Sequence, residues 1–223
     1  MRKIEKRGVF CLILAALLGL GLAVFCFQFV VDGGDWASYP YNRHLYSNSG
    51  QLKGGTILDR DGDVLSTLDE NGNRIYYPDG DIRRATLHAV GDPAGNIGAG
   101  ALTAFADKLS GYNLLTGVYS PLGTGNNLYL TIDAYLNNIA YQALGGMSGT
   151  VGVYNYKTGE ILCMVSTPTF DPADPPNIDP DDPAWDGVYV NRLLSANSIP
   201  GSIFKVVTLN AAIENLPDLF TRS

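Results

Sequence analysis

A chain of 223 residues, 46% hydrophobic and 17% charged, has room for one large domain or two small ones and enough apolar content for a core. Its formal net charge of −7 becomes −10 once the +3 of the first eight residues is set aside. So acidic a remainder argues against binding nucleic acid or anionic headgroups. Of the three cysteines, Cys11 and Cys26 lie in an apolar N-terminal run and only Cys163 lies beyond it. No internal disulfide of the later part and no metal-ligand cluster is expected, and no cofactor motif is visible.

Residues 9–31 carry no charge, and Gln28 is their only strongly polar side chain. As a helix they reach about 34 Å, sufficient for a hydrocarbon layer of about 30 Å. Arg2, Lys3, Lys6 and Arg7 precede them against Glu5 alone, which keeps the N-terminus cytoplasmic and sends the bulk of the chain outward. A cleaved signal peptide shares the basic start. Its apolar region is shorter, roughly 7–15 residues, and ends in small residues, whereas this run continues through Phe25, Phe27 and Phe29. Phe25 is also too bulky for the position before a lipid-modified Cys26. The segment reads as a single uncleaved membrane anchor (residues 1–31 with its flank).

Residues 32–54 lack a period and read as a linker. Thr56-Ile57-Leu58-Asp59, Asp63-Val64-Leu65-Ser66-Thr67 and Arg74-Ile75-Tyr76-Tyr77 are strand-like runs separated by Asp61-Gly62 and Asn71-Gly72, which predicts a small β meander. Leu102, Phe105, Ala106 and Leu109 predict a helix over residues 99–109 closed by Gly111. A Gly- and Asn-rich stretch over 123–127 sets a boundary, giving a small unit at 55–126 and a second at 127–223.

The second unit opens with a strand at 128–131 and a helix capped by Asp133, with Leu136, Ile139, Ala140, Ala143 and Leu144 as its buried stripe and Gly145 as its stop. Residues 149–156 and 160–166 predict a hairpin turning at Lys157-Thr158-Gly159. The stretch 168–183 is rich in proline and aspartate and reads as an extended surface loop.

The segment that names a chemistry is Pro200-Gly201-Ser202-Ile203-Phe204-Lys205, followed by the helix-like Val206-Val207-Thr208-Leu209-Asn210-Ala211-Ala212-Ile213. Helical residues i and i+3 share a face, so the spacing sets an amine beside a hydroxyl, a minimal nucleophile and base for acyl transfer. A serine at a helix start also has unpaired backbone N–H groups nearby to stabilise developing negative charge. Ile203, Phe204, Val206, Val207 and Leu209 are expected to bury the pair, which would favour the neutral amine. The bland alternative is a capping serine followed by a solvated lysine.

The run from Pro200 to Thr208 closely resembles the first catalytic motif of class B penicillin-binding proteins, membrane-anchored transpeptidases that cross-link peptidoglycan. Thr56-Ile57-Leu58-Asp59-Arg60-Asp61-Gly62-Asp63-Val64-Leu65 resembles the family's membrane-proximal motif, and Thr131-Ile132-Asp133 the start of its transpeptidase region. Residues 158–172 resemble its first strands, and Asn191-Arg192 stands at the usual approach to the serine. Together the matches span residues 55–214, and the short N-terminal unit most resembles the subgroup with a small pedestal. Ile203 replaces the usual threonine, and Gly54 stands where the membrane-proximal motif usually has arginine.

The resemblance implies an α+β fold: one transmembrane helix, a small β-rich pedestal that is dimerisation-like, and an incomplete penicillin-binding transpeptidase domain. It also implies that Ser202 is acylated by a peptidoglycan stem peptide or a β-lactam, with Lys205 as proton acceptor and a polytopic glycosyltransferase as a partner. The family's Ser-x-Asn and Lys-Thr-Gly motifs lie after the nucleophile. Ser195-Ala196-Asn197 and Lys157-Thr158-Gly159 lie before it and read as decoys. Only 18 residues follow Lys205, so the chain as it stands is expected to be inactive. The rivals are a β-lactam-sensing receptor and a non-catalytic module of a cell-wall complex.

Overall fold

Helix α1 (Arg2–Ala37) opens the computed structural model, which describes residues 2–37, 54–113, 115, 125–195 and 201–216. Its apolar window is covered by none of the other described residues, and the helix is long and apolar enough to cross a membrane once. It continues six residues past the expected end at Val31, so the first part of the expected linker is helical. The rest of that linker, 38–53, lies outside the described residues.

The meander forms as the turn dipeptides require. Strands β1 (Thr56–Leu58), β2 (Val64–Leu68) and β3 (Arg74–Tyr76) pair antiparallel in sequence, with Gly62 and Gly72 at positive φ in the two turns. Buried Arg74 fastens β3 to the start of β1, its guanidinium donating to Gly54 O at 2.7 Å and Gly55 O at 3.2 Å. Burial lowers its pKa to about 10, which leaves it charged at neutral pH. Strand β4 (Asn127–Tyr129) then pairs parallel with β1, giving the order β3-β2-β1-β4. The chain therefore crosses the expected boundary near residue 126 without leaving the first sheet.

Helix α2 (Gly80–Val90) stands where no element is expected from the sequence. Asp79 caps it, accepting from the Asp81 and Ile82 amides at 2.8 and 3.1 Å. The helix expected over 99–109 is instead two single turns, α3 (Ala101–Ala104) and α4 (Ala106–Leu109), broken at Phe105. Phe105 is 44% exposed rather than buried, because its non-helical backbone (φ −121°, ψ 28°) takes it off the apolar stripe. The main core gathers Ile57, Leu65, Ile82, Val90, Leu109 and Ile132 from both expected units.

Helix α5 (Ala134–Leu144) has the expected ends, Asp133 accepting from the Leu136 amide and Gly145 in the left-handed region. Its expected stripe holds in part: Ala140 is buried, and Leu136 and Leu144 pack with it against Cys163 and Val165. Ala134, Asn137 and Ala140 point inward, whereas Ile139 is 66% exposed and Ala143 is exposed as well. Asn137 adds a polar residue to the buried face. Its Nδ2 donates to Asp133 O and Leu162 O while its Oδ1 accepts from the Met164 amide. Strands β5 (Gly149–Tyr154) and β6 (Ile161–Thr167) form the expected hairpin, and Cys163 and Val165 of β6 pack on Ala140. A loop then runs through a 3₁₀ turn, Pro183–Trp185, and packs Phe170 and Val188 against Leu87 and Ile97.

Candidate active site

Ser202 and Lys205 lie on one continuous helical path. Gly201–Phe204 form a 3₁₀ turn, and Lys205 is the first residue of α6 (Lys205–Asn215). In a 3₁₀ turn residues i and i+3 eclipse, so the two side chains leave the same face. Gly201 sits at φ 54°, a left-handed conformation that a residue with a Cβ adopts only under strain.

The expected burial of the pair is not what the structure shows. Ser202 and Lys205 are exposed, as are their apolar neighbours, with Ile203 at 74% and Val206 at 72%. Apolar neighbours along a helix bury a polar pair only where a second element packs over them, and α6 has no buried residue among those described. Neither Ser202 nor Lys205 makes a side-chain hydrogen bond or ion pair among the described residues. The helix has local side-chain bonds of its own, with Thr208 Oγ1 donating to Phe204 O and Asn210 Nδ2 to Glu214 Oε1.

Both decoys have structural explanations as far as the described residues reach. Lys157-Thr158-Gly159 is the turn between β5 and β6. Asn155 organises it, accepting from the Lys157 amide through Oδ1 at 3.0 Å and from the Gly159 amide through its carbonyl at 2.7 Å. Ser195 Oγ donates to Arg192 O at 3.3 Å, while Ala196 and Asn197 lie outside the described residues. Among the described residues no group of three or more His, Cys, Asp or Glu side chains is placed to hold a metal.

The motif residues away from the serine are brought together by hydrogen bonds. Asp59, fully buried, accepts from the Asp61 and Asp63 amides at 2.9 Å each and, through its other oxygen, from the Ala134 amide at 3.2 Å. The Arg60 amide donates to Ile132 O, and Thr131 Oγ1 to Ile161 O at 2.7 Å. One carboxylate thus joins the membrane-proximal turn to the start of α5 and, through Asp133 and Asn137, to β6.

Arg192, singled out from sequence only as an approach residue, is bound to the end of β6. Its amide donates to Ser166 Oγ, Nε to Thr167 O and one terminal nitrogen to Asp186 O. Sequence reasoning missed His88, Arg83 and Asp171. Desolvation holds the pKa of buried His88 below its ordinary value, with Arg192 pushing the same way and the Val188 carbonyl and Asp92 opposing. Arg83 holds the Asp171 carboxyl below the usual carboxylate range. The acidic loop 168–183 held a usable signal, since one of its aspartates needed a basic partner and Arg83-Arg84 was the arginine pair available.

Known proteins resemble this chain over the same region. The family profile described as Penicillin binding protein transpeptidase domain matches residues 149–216, from β5 through the Ser202 turn to the end of α6. Stage V sporulation protein D of Bacillus subtilis is 40% identical over 105 residues, 43% of this chain and 15% of that protein. Peptidoglycan D,D-transpeptidase MrdA of Acinetobacter baumannii is 46% identical over 48 residues, 22% of this chain and 7% of that protein. A crystal structure from Atopobium parvulum, provisionally described as a peptidoglycan glycosyltransferase, covers 74% of this chain and 39% of its own, with 26% identity and a TM-score of 0.50. The chain corresponds to only a small part of the two curated relatives.

Proposed function

We propose that this chain, which belongs to the class B penicillin-binding proteins, carries the acylated serine of a membrane-anchored peptidoglycan D,D-transpeptidase. The observation that carries the reading is the continuous 3₁₀-to-α path that puts Ser202 and Lys205 one turn apart within the region matched to the transpeptidase domain.

In this reading Lys205 accepts the Ser202 hydroxyl proton as Oγ attacks the carbonyl of a D-alanyl-D-alanine stem peptide. The Oγ–C bond forms, the peptide C–N bond breaks, and the terminal D-alanine leaves with the proton. An amine on a neighbouring strand then attacks the ester, Ser202 regains its hydrogen and the cross-link remains. A β-lactam enters by the same first step, and its opened ring stays attached to Ser202.

The basic residues in the first turns of α1 favour a cytoplasmic N-terminus with the rest of the chain outside. The division into anchor (1–31), linker (32–54), pedestal (55–126) and transpeptidase part (127–223) fits this use, with β4 making the last junction a packed one. A polytopic glycosyltransferase that makes the glycan strand is the matching membrane partner.

The test is labelling of the full-length protein by a fluorescent penicillin. Wild type is expected to retain the label through denaturation and Ser202→Ala to lose it. Equal labelling of the two would overturn the reading.

A further inference from the structure

Ten residues ahead of Ser202, the chain is gripped by parts of the molecule far from it in sequence. His88, 1% exposed near the C-terminal end of α2, sets Nε2 at 2.8 Å from the Val188 carbonyl. A carbonyl only accepts, so Nε2 carries the hydrogen, and Nδ1 is left without a partner among the described residues. The backbone carbonyl of the same histidine accepts from Asn191 Nδ2 at 3.3 Å. Asn191 Oδ1 in turn accepts from the Leu193 and Leu194 amides at 3.2 and 3.4 Å.

The next residues are fixed to the hairpin. Arg192 is bound to Ser166 and Thr167 of β6. Leu193 lies over Gly152 of β5 so closely that a Cβ there would come within 2.5 Å of Leu193 Cδ1. A buried ring nitrogen without a partner is a cost that an apolar residue of similar size would not carry. What histidine supplies in exchange is the bond to Val188.

We propose that His88 is a positioning residue for the nucleophile. Its ring holds Val188 and its backbone carbonyl holds Asn191, so residues 188–194, which precede Ser202 in the chain, are fixed to α2, and through them this helix sets the placement of the acylated serine. The inference rests on the reading of Ser202 given above. The hairpin holds Arg192 and Leu193, two neighbouring residues about which the chain can still pivot. The two contacts at α2 supply the second and third fixed points.

The test compares the full-length protein with His88→Leu, which keeps bulk and removes the donor, and His88→Gln, whose amide nitrogen reaches the place of Nε2. In His88→Leu the amides of Val188, Val190 and Arg192 should exchange with solvent about tenfold faster while those of β5 and β6 keep their protection. The limiting rate of acylation by benzylpenicillin should fall about tenfold at an unchanged half-saturating concentration. His88→Gln should restore both. Unchanged exchange in His88→Leu, or faster exchange with no loss of acylation rate, would overturn the proposal. Absence of any adduct on the wild-type protein would instead overturn the acyl-transfer reading, while the exchange data still report the grip.

Discussion

Arg83 and Asp171, 88 residues apart, form a two-pronged ion pair, with Nε to Oδ1 at 2.7 Å and a terminal nitrogen to Oδ2 at 2.6 Å. The remaining terminal nitrogen of Arg83 donates to Tyr77 O and Pro78 O. Both side chains are largely buried, at 18% and 12% exposure, so the pair is screened little and its geometry matters. It ties the start of α2 to the loop that follows β6.

Arg83→Ala is expected to destabilise the protein by about 2 kcal/mol, since it leaves the Asp171 carboxylate with only the Ala173 amide and the more distant Arg84 at 3.9 Å, and removes the donor to two carbonyls. Asp171 has a depressed pKa in the folded state, so its contribution is complete above the ordinary value of 3.8 and is lost as pH falls through the folded value. Urea unfolding in detergent should show the wild-type advantage over Asp171→Asn at pH 7 and its loss in acid. A difference that persists unchanged into acid would contradict this.

Asn137 acts as a surrogate strand for the outer edge of β6, meeting both Leu162 O and the Met164 amide. Asn137→Leu leaves the Met164 amide unpaired in a buried setting, while Leu162 O keeps the Asp133 amide at 2.9 Å, and should cost about 1–3 kcal/mol. Asn137→Asp keeps the acceptor for Met164 but turns a carboxylate oxygen toward Leu162 O. It should be no better than leucine at neutral pH, as thermal unfolding would report.

Helix α1 and the body of the protein meet beyond the apolar run. A Cβ at Gly34 would lie 3.4 Å from Asp107 Cβ, close to the separation a disulfide requires. In a background with Cys11 and Cys26 replaced by serine, Gly34→Cys with Asp107→Cys should cross-link on mild oxidation. Each single variant should not. Failure of the pair to cross-link would contradict the docking of α1 on α4.

The pKa of His88 is depressed in the folded state, so the unfolded chain binds its proton first as pH falls. Its share of stability is complete above about pH 6.5 and declines below it, an effect that His88→Gln should remove. Arg192 and Asp92 act on the ring with opposite signs, so Asp92→Asn should lower the pKa further. Histidine titration followed by NMR would check both directions.

The elements that were legible in the sequence carry their signals locally. The meander announces itself by Asp61-Gly62 and Asn71-Gly72, and α5 by an aspartate cap and a glycine stop. Helix α2 was illegible because residues 85–90 are all buried, Thr86 and His88 among them, so no apolar stripe alternates with a polar face. Strand β4 reads as a strand, but nothing local says that it pairs with β1. The buried face of α5 was legible at Leu136, Ala140 and Leu144 but not at Asn137, a polar residue whose partners are backbone groups. The serine and lysine were legible as a motif. Their surroundings were not, since His88 and Asn191 meet across about a hundred residues.

The central claim is that the Ser202 oxygen becomes acylated. Trypsin should release residues 193–205 as one peptide containing Ser195, Ser198 and Ser202. After the full-length protein reacts with benzylpenicillin, fragmentation of that peptide by mass spectrometry should place the adduct on Ser202 alone. An adduct on Ser195 or Ser198, or an unmodified peptide, would contradict the account.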